Sequence, residues 1–188
     1  YGFSGNEEYN SMRFQDYAMG QFFKLAEQEP FFKDTVFFIY GDHGLTVHES
    51  KNAPKAIVDL ELTTNNIPLV VVGPDVPVGI DERPASQVDL TATMAGLLGI
   101  AHRQTALGRN LFDDDITRGA FILAGSGAPL RIGYIEDDFY YTLWPNKKGM
   151  FKYKSNDSSK DYCPQYPEKC EKMKKLAQGL YEASRYIT

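Results

Sequence analysis

Thr35-Val36-Phe37-Phe38-Ile39-Tyr40-Gly41-Asp42-His43-Gly44 sets the architecture of this chain. Its opening is uncharged and rich in β-branched and aromatic residues, which predicts a buried central strand. The run stops at Gly41, and a carboxylate, an imidazole and a second glycine follow. In open α/β sheets, ligands collect at the carboxyl ends of strands, so Asp42 and His43 are expected at that edge. Together they suit a divalent cation such as zinc or manganese, with glycines that let the backbone bend close to it. The plainer alternative is a strand-end turn in which Asp42 caps and His43 is solvated. The apolar run before the pair and the glycine on either side favour the metal reading.

Working outward, the spacing of Tyr9, Met12, Tyr17, Phe23 and Leu25 predicts a helix over 6–29, with Pro30 as its stop signal. Residues 45–66 read as polar and irregular, with Asn52, Pro54, Asn65 and Asn66 marking loops. Ile67-Pro68-Leu69-Val70-Val71-Val72 reads as a second buried strand ended by Gly73-Pro74. Ser86 to Leu98 reads as a short helix that Ser86 or Asp89 can cap and Gly99 can close. Strands alternating with helices predict a mostly parallel sheet covered by helices.

The texture then changes. Segments 121–124, 131–135, 139–144 and 150–154 read as short strands of an antiparallel meander, separated by Gly, Pro, Asp or Asn. A last helix over about 168–186 carries Lys169, Lys172, Lys174 and Lys175, expected as a solvated face. The organisation expected is an α/β part over 1–118 and a small sheet with its helix over 119–188, packed on the same domain.

The 188 residues suit one domain or part of a larger one. With 43% hydrophobic and 13% aromatic residues, the chain is globular rather than disordered. A net charge of −5 with interspersed signs argues against a nucleic-acid surface. No apolar run approaches the ~20 residues that span a bilayer. The chain opens on Tyr1 rather than Met, which suggests a fragment, so a missing targeting segment means little. Six residues, two of them proline, separate Cys163 from Cys170. They could close a small disulfide loop, implying an oxidising compartment, or remain free thiols. The spacing does not suit a zinc knuckle.

In this order, the pieces resemble the C-terminal part of the alkaline phosphatase/sulfatase superfamily. The nearest branch is similar to the phosphoglycerol transferases related to lipoteichoic acid synthase. Tyr9 to Phe23, Phe38 to Gly44, Ile67 to Pro74, Ser86 to Met94 and Leu107 to Leu111 carry the resemblance. It implies the C-terminal part of an α/β/α sandwich with a small antiparallel C-terminal sheet and terminal helix. It also implies that Asp42 and His43 are two of four protein ligands to Mn2+ or Mg2+, or to Ca2+ in a sulfatase. The remaining acidic ligand and the Thr or Ser nucleophile are expected upstream, in the other half of the same protein.

The activity implied is a two-step transfer or hydrolysis on an anionic phospholipid, or on a phosphorylated or sulfated glycan. The domain would lie outside the cytoplasm, with the parent anchored in the membrane. A sulfatase with a formylglycine nucleophile and a non-catalytic module remain the competing readings.

Other residues carry weaker signals. His48 could meet the substrate phosphate or donate a proton, or be an exposed loop histidine. Lys51 and Lys55 could meet an anionic head group. His102 is expected to complement a helix dipole, Arg13 and Asp16 to pair within the first helix, and Arg109 to brace a loop. Asp113-Asp114-Asp115 lacks the alternation of a calcium loop and reads as a solvated turn. Trp144 is expected in the core of the small sheet.

Overall fold

The strand predicted from the Thr35 run exists and is shorter than the run. In the computed structural model, which describes residues 5–101, 107–114, 119–124 and 130–187, β1 is Phe37–Tyr40. His102 and Asp115 lie outside the described residues, as do residues 115–118 beside the expected 118/119 boundary. The chain divides into two compact units.

The first unit runs to Tyr40 and adds Pro68–Val78. It opens on α1 (Glu7–Ala26), whose N-cap Asn6 accepts a hydrogen bond from the Tyr9 N–H at 2.9 Å. Glu7 and Glu8 in the first turn and Lys24 in the last complement the helix dipole. The helix ends three residues before the predicted limit. Pro30 disfavours helical geometry at Glu29, and the Gln28 and Glu29 amides tighten onto Leu25 and Ala26 instead. Arg13, expected to pair with Asp16, lies over the Tyr9 ring, 5.7 Å from its centroid.

A turn of 3-10 helix, Phe32–Asp34, leads into β1. Phe37 on that strand gathers Phe22, Phe23 and Phe32, with centroids 5.2 to 5.9 Å away. The partner strand β2 (Leu69–Val72) runs antiparallel, pairing Phe38 with Val71 and Tyr40 with Leu69. The expectation of parallel neighbours fails here. A parallel return needs a long crossover, usually a full helix, and the connection holds only a five-residue one. Neither strand is fully buried: Tyr40, Val70 and Val72 are exposed, as are Met12, Phe14, Tyr17, Phe22 and Leu25 on α1. After β2, Gly73 adopts φ 157°, and a Cβ there would lie 2.7 Å from the Val36 Cα. Only glycine fits that approach.

The second unit comprises Gly41–Ile67 and the chain from Gly79 onward. Its centre is the predicted meander, a sheet in the order β3 (Ala120–Ala124), β4 (Arg131–Glu136), β5 (Phe139–Trp144) and β6 (Lys147–Lys152). Side chains alternate between its faces, so Tyr140 and Phe151 bury on one side and Tyr141 and Met150 on the other.

A short helix within the predicted loop, α2 (Lys55–Asp59), covers the first face. Ala56, Leu60 and Leu62 pack there with Ile122, Tyr140 and Phe151. Beyond α2, Glu61 is held at φ 54°, a left-handed conformation costly for a side-chain-bearing residue. Arg131 on β4 fixes it. Its Nη1 donates to the Leu60 carbonyl at 3.2 Å and to Glu61 Oε2 at 3.1 Å, and its Nη2 to the Glu61 carbonyl at 3.0 Å. Half-buried Trp144 stacks on the same guanidinium.

The other face is covered by α4 (Pro167–Ile187), which buries Met173 and Ala177 completely. A buried side chain of methionine size contributes roughly 1.5–3 kcal/mol. The basic run is not simply solvated: Lys172 and Lys169 both reach Glu136, and Lys169 also pairs with Asp137. A Cys163–Cys170 disulfide closes the turn into α4. The remaining helix, α3 (Asp89–Leu97), begins three residues after the predicted start.

Candidate metal-binding turn

Gly41 to Gly44 follow β1 directly, outside regular secondary structure and with a bend at Asp42. Asp42 folds its side chain back so that Oδ1 accepts the His43 N–H at 2.9 Å. His43 Nδ1 lies 2.9 Å from the Gly44 carbonyl oxygen. A carbonyl can only accept, so Nδ1 carries a proton, and in the neutral ring Nε2 is the nitrogen with a free lone pair. That Nε2 is 3.7 Å from Asp42 Oδ2, and both side chains are largely exposed, at 72% and 89%. One carboxylate oxygen and one imidazole nitrogen therefore stand side by side and exposed, and in the neutral ring both can accept.

Four hydrogen bonds fix the turn and the segment that follows it. The Gly44 N–H donates to the Thr64 carbonyl at 2.8 Å. A Cβ on Gly44 would collide with the Thr63 carbonyl, so glycine is required by space. The Val47 N–H donates to Thr63 Oγ1 at 3.2 Å. From the segment entering α3, Gln87 Nε2 donates to the carbonyls of both Gly41 and Asp42, at 2.9 and 2.8 Å.

Gln87 is held by its neighbours. Asp89 is fully buried and does more than cap: Oδ2 accepts the Ser86 N–H at 2.9 Å, and Oδ1 accepts the Arg109 N–H at 2.9 Å. Arg109 braces a loop as expected, through Asp89 and through Nη2 donating to the Gly119 carbonyl at 2.5 Å. Thr93, also buried, donates to the Asp89 carbonyl and accepts from the Leu111 N–H. Neither the Gln87 bridge nor the Asp89–Arg109 pair follows from local pattern, since their partners lie 20 to 46 residues away.

Of the sequence-predicted residues, Asp42 and His43 come together. His48 is exposed on the segment beyond them and makes no hydrogen bond within the described structure. Lys51 is exposed, while Lys55 is engaged by Asp59 one turn on in α2. That lysine, with Ser158 Oγ at 2.5 Å, holds the Asp59 carboxyl below its usual range. Asp113 accepts from Asn110 Nδ2 at 2.8 Å, as a turn residue does.

Among the described residues no cluster of three or more His, Cys, Asp or Glu could enclose a metal ion. The two donors of the turn nevertheless fit a divalent cation in kind. Oδ2 and Nε2 are separated by a distance that two ligands of one ion, each about 2.1 Å from it, can span. They fit as part of a site.

The chain is 27% identical over 114 residues to lipoteichoic acid synthase 1 of Bacillus subtilis (strain 168), covering 57% of this chain and 18% of that protein. It also superposes with a TM-score of 0.69 on a crystal structure of a protein in the alkaline phosphatase superfamily from Vibrio parahaemolyticus. There the identity is 20%, over 98% of this chain and 44% of the other. This chain thus spans less than half of either relative. The second likeness gives the fold, an alkaline phosphatase-like mixture of helices and sheets. Residues 5–100, which include the whole turn and its Gln87 support, match the sulfatase family model, and the chain belongs to the sulfatase family.

Proposed function

We propose that this chain is part of a metal-dependent transferase of phosphoglycerol or a related phospho-head-group, or a phosphodiesterase, acting on cell-envelope lipid or glycan. The observation that carries the reading is the outward pair of acceptors, Asp42 Oδ2 and His43 Nε2, 3.7 Å apart. Similarity to a lipoteichoic acid synthase supports the phosphate branch. A bound Mn2+ or Mg2+ supplies positive charge that lowers a nucleophile's pKa and offsets charge on the reacting oxygens.

In this reading the chain's own residues hold and orient. Asp42 and His43 donate to the cation, Gly44 keeps the turn closed, and His48 approaches the anionic group of the substrate. The Thr or Ser nucleophile belongs to the remainder of the protein. The Cys163–Cys170 disulfide supports an extracytoplasmic site, since such bonds persist in oxidising compartments. No helix among the described residues is long and apolar enough to cross a membrane. A membrane anchor in the parent is part of the proposal.

The family match itself favours a second reading, a sulfatase holding Ca2+. Assaying the full-length protein for head-group release from phosphatidylglycerol and for sulfate release from an aryl sulfate separates the two. The expected result is phosphate-ester turnover with Mn2+ that falls at least about 100-fold in Asp42→Ala, because several kcal/mol of charge stabilisation is lost. Sulfate release alone selects the second reading. Near-normal turnover in Asp42→Ala defeats both.

A further inference from the structure

We infer that Gln87 is a positioning residue that sets the direction of the two metal donors by tying together consecutive carbonyls of the turn. In an extended strand successive carbonyls point to opposite sides. Here those of Gly41 and Asp42 converge on a single atom, Gln87 Nε2, at 2.9 and 2.8 Å. Two converging carbonyl dipoles repel unless donors sit between them. A carboxamide nitrogen presents two N–H groups from one atom and carries no charge. A lysine would place a positive charge behind the cation, and a glutamate would face two acceptors with two more.

The glutamine is itself aimed. Buried Asp89 holds the Ser86 N–H on one side and the Arg109 N–H on the other, which fixes the segment carrying Gln87 at the start of α3. Arg109, Asp89 and Gln87 thus form a relay that ends on the peptide groups bearing Asp42 and His43. With the Asp42 carbonyl pinned, the following residue cannot rotate freely, and His43 Nε2 stays beside Asp42 Oδ2.

The inference rests on the proposed metal role of the turn, and the test separates the two. In the full-length protein, Mn2+ affinity is measured by calorimetry, and amide hydrogen exchange is followed over residues 38–47. The variants are Gln87→Leu, Gln87→Glu and Asp42→Ala. Outer-shell partners of metal ligands typically change affinity 10–100-fold, so Gln87→Leu is expected to weaken Mn2+ binding by about that factor and to speed exchange across the turn.

Gln87→Glu is expected to weaken binding as well, although its added negative charge would by simple attraction strengthen it. Weakening therefore marks positioning rather than charge. A melting-temperature change in Gln87→Leu with unaltered Mn2+ affinity would show a merely structural residue and overturn the inference. Tighter binding in Gln87→Glu would overturn it too. Unaltered affinity in Asp42→Ala defeats the metal reading instead, and unaltered turn exchange in Gln87→Leu then removes the positioning role as well.

Discussion

The carboxylate of Asp89, with none of its surface exposed, accepts the Arg109 N–H at 2.9 Å and lies 3.5 Å from that residue's Nε. Removing it strands the Ser86 and Arg109 amides and leaves a partly buried guanidinium short of its counter-charge. Asp89→Ala is expected to cost about 3 kcal/mol, and Asp89→Asn, which keeps one acceptor oxygen, about half of that. Urea midpoints at constant slope measure both. A loss below about 1 kcal/mol in the alanine variant would mean that the pair carries no structural weight.

Gly44 is tested by adding one methyl group. The Thr63 carbonyl occupies the space a Cβ needs, so Gly44→Ala must push the 63–64 segment away from the turn. The expected loss is about 1–3 kcal/mol, together with weakened Mn2+ binding. Gly20→Ala is the control. That position lies inside α1 with nothing within 4 Å of the added carbon, and it should gain about 0.5–1 kcal/mol. Equal stability of the two variants would contradict the crowding at Gly44.

The Cys163–Cys170 bond closes a short loop just before and into α4. Constraining so few residues in the unfolded chain contributes roughly 2 kcal/mol. Melting with and without a phosphine reductant should show a lower Tm in the reduced protein. Hydrogen exchange should localise the loosening to the first turn of α4 and to Tyr162 and Tyr166, whose rings pack on Phe139. An unshifted Tm would argue against the bond.

Four tyrosines are expected to contribute to the alkaline limit of stability. Burial raises the phenols of Tyr134, Tyr140, Tyr141 and Tyr153 above their ordinary value of 10.0. Because the folded pKa is the higher one, stability is intact below the unfolded value, near pH 10, and is lost as pH rises toward the folded values. The share of tyrosinate absorbance that belongs to these four of the twelve tyrosines is expected to appear late and together with loss of near-ultraviolet dichroism. Ionisation of all twelve tyrosines near pH 10, with the fold retained, would contradict the burial of these four rings.

Legibility followed locality. The Phe37–Tyr40 strand, α1 and the four-strand meander announce themselves through period and turn chemistry within a dozen residues, and all are present. Asp42 and His43 are legible in the same local way as the end of the β1 run, and their metal role is a proposal. Helix α2 was not, because five residues are too few to display a helical period, and its apolar members matter only once Ile122 and Phe151 lie against them. The antiparallel pairing of β1 and β2 is not legible, because alternation of strand and helix says nothing about which way a short connection returns. Gln87 in a Ser-Gln-Val-Asp run looks like any solvated residue near a helix start. Its two acceptors lie about 45 residues upstream, and only the folded backbone turns them toward it.

Arg131 reaches from the four-stranded sheet to Leu60 and Glu61, and three residues further on Thr64 receives the amide of Gly44. A shortened protein ending before that sheet would retain Asp42, His43 and Gln87 yet lose the clamp that keeps residue 61 in its strained twist. The 61–64 segment that receives the Gly44 amide would then be free to drift. Trimming from the carboxyl end is for that reason a poor route to a minimal unit, and the small sheet is better regarded as the foundation under the segment that backs Asp42 and His43.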